Sequence, residues 1–221
     1  MKKAFTMIEL VFVIVIVGIL AAVMIPRTKS NKLQEAAIQL ISHIRYTQHL
    51  AMLDDKFKSN SPTWYKERWQ LIFHQDSVHT NGEYTYTIFS DKMSLTGTSH
   101  NGKPNTTNNE IALDPMNNDK YLSGGTQSLY TSNIKVNKKL NLGLSYGIDS
   151  YILSGGCSSI RISFDNMGRP ISGDLKDYTS SYILPSSSKK LISSTCKITL
   201  ISNNEGNISI YIEPETGYTH L

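Results

Sequence analysis

A single carboxylate lies near the start of an otherwise apolar N-terminal run. Within residues 5–25 only Thr6 and Glu9 are clearly polar. A carboxylate is costly to place among apolar neighbours, so Glu9 should have a cationic partner or a specific task. The sequence therefore predicts that Glu9 is a functional residue.

The two cysteines of the chain, Cys157 and Cys196, can pair with each other in only one way. In an oxidising compartment, a bridge that closes a loop of about 40 residues would contribute roughly 4 kcal/mol on the chain-entropy model. The alternative is a pair of free, buried thiols. We predict the disulfide, because the apolar start suggests export of the rest of the chain.

Two lysine clusters could contact the phosphates of nucleic acid. Lys135, Lys138 and Lys139 form one cluster, and Lys189 and Lys190 form the other. The formal net charge of +4 is mild and gives little support for a nucleic-acid partner. Solvated loop lysines are the commoner explanation, so DNA contact through Lys135, Lys138 and Lys139 is kept as an alternative.

Metal and catalytic chemistry have weaker signals. The segment LDPMNNDKY over 113–121 groups side-chain oxygens as calcium loops do, but a solvated Asn-rich turn is the commoner explanation. The six histidines do not combine with the cysteines at zinc-ligand spacing. The chain contains no Gly-x-Ser-x-Gly, phosphate-loop or His-Glu-x-x-His motif. We expect no metal, no cofactor and no enzymatic activity.

The N-terminal segment that carries Glu9 is expected to be one long helix. As a helix, residues 5–25 would span about 31 Å, which matches a bilayer core and predicts a transmembrane segment. Residues 26–55 would continue it as an amphipathic helix, with a kink at Pro26. A secretory signal peptide or a plain anchor would also be apolar, but neither explains Glu9.

Residues 56–221 show the alternating pattern of short strands and turns. Strands are expected within residues 68–75, 83–90, 158–170 and 196–220. Asn81–Gly82 predicts a hairpin turn, and residues 203–206 predict the tip of a final hairpin. The predicted fold class is α+β, with a long N-terminal helix, transmembrane in its first half and amphipathic in its second, packed on antiparallel sheets.

The residues AFTMIEL resemble the N-terminus of type IV pilins and type II secretion pseudopilins. In that family a prepilin peptidase removes a short basic leader and N-methylates the new first residue. The resemblance implies a leader over 1–4, cleavage between Ala4 and Phe5, and methylation of Phe5. Glu9 would be the fifth mature residue, and Pro26 falls where the family commonly has a helix-kinking proline. Ala4 departs from the family, in which Gly is usual at this position.

The resemblance also supplies a partner for Glu9. Cleavage exposes an α-amino group at Phe5, which could meet the Glu9 carboxylate of a neighbouring subunit and fix the axial register of assembly. Recognition of Glu9 by the peptidase or the assembly platform is an alternative. ISFDNMGRP over 162–170 and the Pro214–Gly217 turn of the final hairpin resemble the minor pseudopilin H and FimT group, so a minor subunit is implied.

The implied function is that of a minor pseudopilin or pilin in a type II secretion or type IV pilus-like filament. Its partners would be the prepilin peptidase, other pilin or pseudopilin subunits and an inner-membrane assembly platform. The implied location is the bacterial inner membrane, with a single pass and a periplasmic C-terminal domain. A DNA-binding minor pilin of a natural transformation system and an anchored periplasmic binding protein are the alternatives.

Overall fold

The computed structural model describes residues 6–24, 31–94, 97, 99–157, 159–182 and 191–221. The chain divides into two compact units, with the boundary between Asn31 and Lys32. The predicted leader over 1–4, the cleavage pair Ala4 and Phe5, and the predicted kink at Pro26 lie outside the described residues.

The first unit contains helix α1, Met7–Met24, which is 18 residues long. In the part of the chain that the structure describes, no helix combines the length and the apolar character needed to cross a membrane. The predicted transmembrane helix over 5–25, and the single-pass inner-membrane location that depended on it, are therefore wrong.

The second unit opens with helix α2, Lys32–Leu53, within the segment 26–55 that the sequence predicted to be helical. Its buried residues recur at helical spacing, as the periodicity indicated: Leu33, Ala36, Ala37, Leu40, Ile41, Ile44, Thr47 and Ala51. This face packs against both large sheets of the unit. The backbone N–H of Leu33 donates to Glu205 Oε2 at 2.8 Å, so a residue distant in sequence satisfies a free donor at the start of α2.

The strands of the second unit are β1 Trp69–His74, β2 Thr85–Ser90, β3 Leu113–Asp114, β4 Asn117–Tyr121, β5 Ser150–Gly155, β6 Arg161–Phe164, β7 Pro170–Ser172, β8 Cys196–Ser202, β9 Gly206–Ile212 and β10 Thr219–His220. One four-stranded sheet has the order β2-β1-β6-β7, the other β10-β9-β8-β5, and β3 pairs with β4 in a small separate hairpin. All of these strand pairs are antiparallel. A short helix α3, Leu142–Tyr146, precedes β5.

Two hairpins confirm the turn predictions. Asn81 and Gly82 both have positive φ, 55° and 80°, which is the backbone that a tight Asn-Gly turn requires. They lie in the loop over 75–84 that connects β1 to β2, and the two strands pair along their full length. β8 and β9 pair from Cys196 opposite Ile212 to Ser202 opposite Gly206, so the final hairpin has its tip where it was predicted. The predicted α+β class with antiparallel sheets is thus confirmed. The prediction that the first half of the helix spans a membrane is not.

Candidate functional site

Glu9 lies in the first turn of α1 and forms a reciprocal cap with Thr6. Glu9 Oε2 accepts hydrogen bonds from the Thr6 backbone N–H at 3.2 Å and from Thr6 Oγ1 at 3.1 Å. Thr6 Oγ1 accepts in turn from the Glu9 backbone N–H at 3.4 Å. This is the capping box of a Thr-x-x-Glu sequence, and it satisfies two donors at the helix start. The pattern is visible in the sequence, but the sequence analysis missed it.

Over residues 10–22, where the structure describes the side chains, α1 is an apolar helix with every residue exposed. Its large side chains are exposed on all sides and along its length, from Met7, which is 84% exposed, to Leu20, which is 57% exposed. An amphipathic helix would bury one stripe, and α1 has none to bury within its own unit. A contiguous exposed apolar surface of this kind marks an association surface.

Cys157 and Cys196 are joined by a disulfide, with their Cα atoms 4.8 Å apart and both residues buried. Cys196 begins β8 and lies opposite Gly155 of β5, so the bridge ties together two strands that are already neighbours. The two cysteines are 39 residues apart in sequence. The bridge therefore closes a long loop from within the main core, a geometry that restricts the unfolded chain.

The three lysines singled out from the sequence lie on one exposed loop. Lys138 and Lys139 begin a short 3-10 turn that Asn137 caps, its Oδ1 accepting from the Lys139 backbone N–H at 3.0 Å. Lys135 Nζ lies 5.8 Å from the ring centre of Tyr121, at the end of β4. The structure thus brings the cluster beside the β3–β4 hairpin, and Lys189 and Lys190 fall outside the described residues.

Grooves flank the β3–β4 hairpin on more than one side. One, of about 540 Å³, is lined by Leu113, the residues of β4, Ile134 and Lys135. Another, of about 400 Å³, lies around the hairpin turn and reaches Lys138 and Lys139. Sequence reasoning identified the lysines but missed the apolar side chains of these grooves.

The oxygens considered as calcium ligands serve the hairpin turn instead. Asp114 Oδ1 accepts from the Met116 backbone N–H at 2.9 Å, and its Oδ2 accepts from Asn137 Nδ2 at 2.7 Å. Asn117 Oδ1 accepts from the Asp119 backbone N–H at 3.1 Å. Across the described ranges, no group of three or more His, Cys, Asp or Glu side chains could hold a metal ion.

A buried pair of acids lies at the end of β2. Asp91 is 1% exposed and Glu110 is 0% exposed. Asp91 Oδ2 accepts from the Gly102 backbone N–H at 2.8 Å, and Glu110 Oε1 accepts from the Lys92 backbone N–H at 3.3 Å. Asp91 Oδ1 and Glu110 Oε2 have no hydrogen-bond partner within the described part of the chain.

The surroundings of Asp91 disfavour its charged form. Burial raises the pKa of Asp91 to about 7 against the opposing hydrogen bond from Gly102, and the nearby charges of Glu110 and Asp174 raise it further. Arg161 lowers that pKa, but its Nη2 is engaged with Asp174 Oδ2 at 3.1 Å. These residues are far apart in sequence, so no sequence motif marks the cluster.

A half-buried histidine, His43, lies between α2 and β2. His43 Nδ1 and Tyr86 Oη are 2.7 Å apart, and the second ring nitrogen lies 3.2 Å from Gln39 Nε2. Burial lowers the pKa of His43 to about 4, against the attraction of Asp114. His43 is therefore neutral near pH 7 and serves as a hydrogen-bonding group in the helix–sheet interface.

Comparison with protein-family models gives no match, and neither the curated proteins nor the solved structures contain one that matches this chain. The likeness of AFTMIEL to the pilin and pseudopilin N-terminus therefore stays a prediction from the sequence.

Proposed function

We propose that the chain is a subunit of a pilin-like filament in which α1 packs against the same helix of neighbouring subunits. The carrying observation is the apolar surface of α1, whose large side chains are exposed on every side. The second unit, in contrast, has a core of its own between α2 and the two sheets. A helix bundle formed by several subunits would remove the surface of α1 from water.

Glu9 would set the axial register of that bundle. In the single subunit its carboxylate is held by Thr6 at the helix start. After cleavage before Phe5, the new α-amino group of a neighbour could approach this carboxylate. Burying two opposite charges together costs much less than burying one alone, so a packing offset that leaves Glu9 unpaired is penalised.

We further propose that the chain is the specific kind of subunit that the sequence resemblance implied. It would be a minor subunit of a type II secretion or type IV pilus-like filament, processed by a prepilin peptidase and joined to other pilin or pseudopilin subunits.

Substitutions at Glu9 separate its capping role from its charge. Glu9→Gln keeps a side-chain oxygen for the Thr6 donors and retains the cap, since Gln also serves in capping boxes. Glu9→Ala removes both cap and charge. Glu35→Gln is the matched control, because Glu35 is an exposed acid in the first turn of α2.

The readouts are the amount of the chain in filaments isolated from cells and the mass of its mature N-terminus. We expect Glu9→Gln to assemble poorly although cleaved before Phe5, and Glu35→Gln to behave like the wild type. If Glu9→Gln assembled normally and Glu9→Ala did not assemble, the role of Glu9 would be to cap α1 and its charge would not set the register. Mature protein that retains Met1 would refute processing by the peptidase.

A further inference from the structure

One surface of the second unit combines exposed apolar side chains with unpaired positive charge. This hairpin face consists of Leu113–Tyr121 and the loop over 133–139. Met116 is 94% exposed and Ile134 is 83% exposed, and both lie beside the grooves described above. Large aliphatic side chains that stand clear of the surface on a folded unit indicate contact with another molecule.

The charge of the hairpin face is positive. It carries four lysines, Lys120, Lys135, Lys138 and Lys139, and two aspartates, Asp114 and Asp119. Among the residues that the structure describes, none of these lysines forms an ion pair with a carboxylate. The lysines can therefore meet the charges of a partner without first breaking an internal ion pair.

The backbone of the face is held in place before any partner arrives. The Tyr121 backbone N–H donates to the Lys135 carbonyl at 2.8 Å, which fastens β4 to the loop. Asn137 Nδ2 donates to Asp114 Oδ2 at 2.7 Å, which fastens the loop to the hairpin turn. Lys120 Nζ donates to the Ile134 carbonyl. Such preorganisation lowers the entropy lost on binding.

We propose that the hairpin face docks a protein segment that carries several carboxylates beside an aliphatic or aromatic side chain. The carboxylates would meet Lys135, Lys138 and Lys139, and the apolar side chain would enter the groove of about 540 Å³ beside Ile134. This inference stands on the second unit alone and does not depend on assembly through α1.

The same surface suits a nucleic acid less well. A phosphate backbone gains nothing from Met116 and Ile134, and it is repelled by the exposed carboxylate of Asp119 in the same groove. A protein segment uses both the charge and the apolar side chains, as interface cores and rims commonly do.

Fluorescence anisotropy of labelled probes with the full-length chain tests the proposal. The probes are a peptide alternating Glu with Leu, the same peptide with Lys in place of Glu, and a short DNA duplex. The protein variants are Lys135→Glu/Lys138→Glu/Lys139→Glu and Ile134→Ser. Lys197→Glu, on β8 and outside the hairpin face, is the control. The melting temperature of each variant shows whether that variant is folded.

We expect the Glu–Leu peptide to bind the wild type and the Lys–Leu peptide not to bind. The triple lysine variant and Ile134→Ser should each weaken binding by about tenfold or more, and Lys197→Glu should leave it unchanged. Equal binding of both peptides, or no binding of the Glu–Leu peptide, would overturn the proposal. Lysine-dependent binding of the duplex alone would also overturn the proposal and would assign the face to DNA. Self-association that is lost in the triple variant would overturn it too and would assign the face to a second copy of the chain.

Discussion

Replacing Asp91 by Asn should stabilise the protein, and the gain should grow with pH. The pKa of Asp91 is raised from 3.8 to about 7 in the folded protein. Between these values the folded state binds a proton that the unfolded state has released. The contribution of this group to the free energy of unfolding therefore falls as the pH rises through that window, and it is constant above it.

The magnitude follows from the size of the pKa shift. About 3 units at about 1.4 kcal/mol each give a ceiling on the order of 4 kcal/mol at pH 8, and relaxation around the ionised carboxylate lowers it to about 2–4 kcal/mol. Asn resembles the protonated acid in size. It can accept from the Gly102 N–H, as Asp91 does, and it places no charge near Glu110.

Urea unfolding of the full-length chain between about pH 4 and pH 8 measures this effect, in mild detergent because α1 leaves apolar side chains exposed. The difference in unfolding free energy between Asp91→Asn and wild type should be near zero at the acid end and level off above neutrality. Asp119→Asn, at an exposed carboxylate, is the control for the loss of one acidic side chain. A constant difference for Asp91→Asn, or a destabilised variant at pH 8, would refute the reasoning.

Three further predictions concern single contacts of the second unit. Glu205→Ala removes the acceptor for the Leu33 N–H and should lower the free energy of unfolding by about 1 kcal/mol, measured by urea unfolding against Glu215→Gln. Cys157→Ser/Cys196→Ser should cost about 3–4 kcal/mol and make thermal stability insensitive to reductant; an equal response of variant and wild type would contradict this. The pKa of His43 is lowered from 6.5 to about 4, so the difference in unfolding free energy between wild type and His43→Gln should fall by on the order of 2 kcal/mol as the pH drops from about 7 to about 4, since the contribution of Asp91 is common to both proteins.

Local signals account for the parts of the fold that the sequence predicted. Asn81–Gly82 adopts the positive φ pair of a tight turn, a preference that depends on those two residues alone. The apolar spacing of α2 predicted its buried face, because a 3.6-residue period brings these residues to one side. Each of these features is decided within a few residues of the chain.

The length of α1 and the surroundings of the site residues could not be predicted in the same way. The apolar run predicted one spanning helix, whereas α1 begins at Met7, directly after the Thr6 cap. Likewise, the sequence shows that Lys135 is basic, but the position of Lys135 beside Tyr121 depends on the hydrogen bond between their backbones. The buried acids required even longer-range contacts, which a sequence pattern does not contain.

Cysteine crosslinking at α1 tests the packing of this helix between subunits most directly. Val13→Cys places one thiol on the exposed surface of α1, and Leu144→Cys places one on the exposed surface of α3 as a control. The native cysteines are joined to each other and do not compete. A bismaleimide added to cells should give a crosslinked dimer for Val13→Cys, because one thiol per subunit can join only two subunits. This dimer should be lost when Glu9→Gln is added, and Leu144→Cys should give none. Absence of the crosslinked dimer at Val13→Cys, or a dimer unaffected by Glu9→Gln, would contradict assembly through α1 in a register set by Glu9.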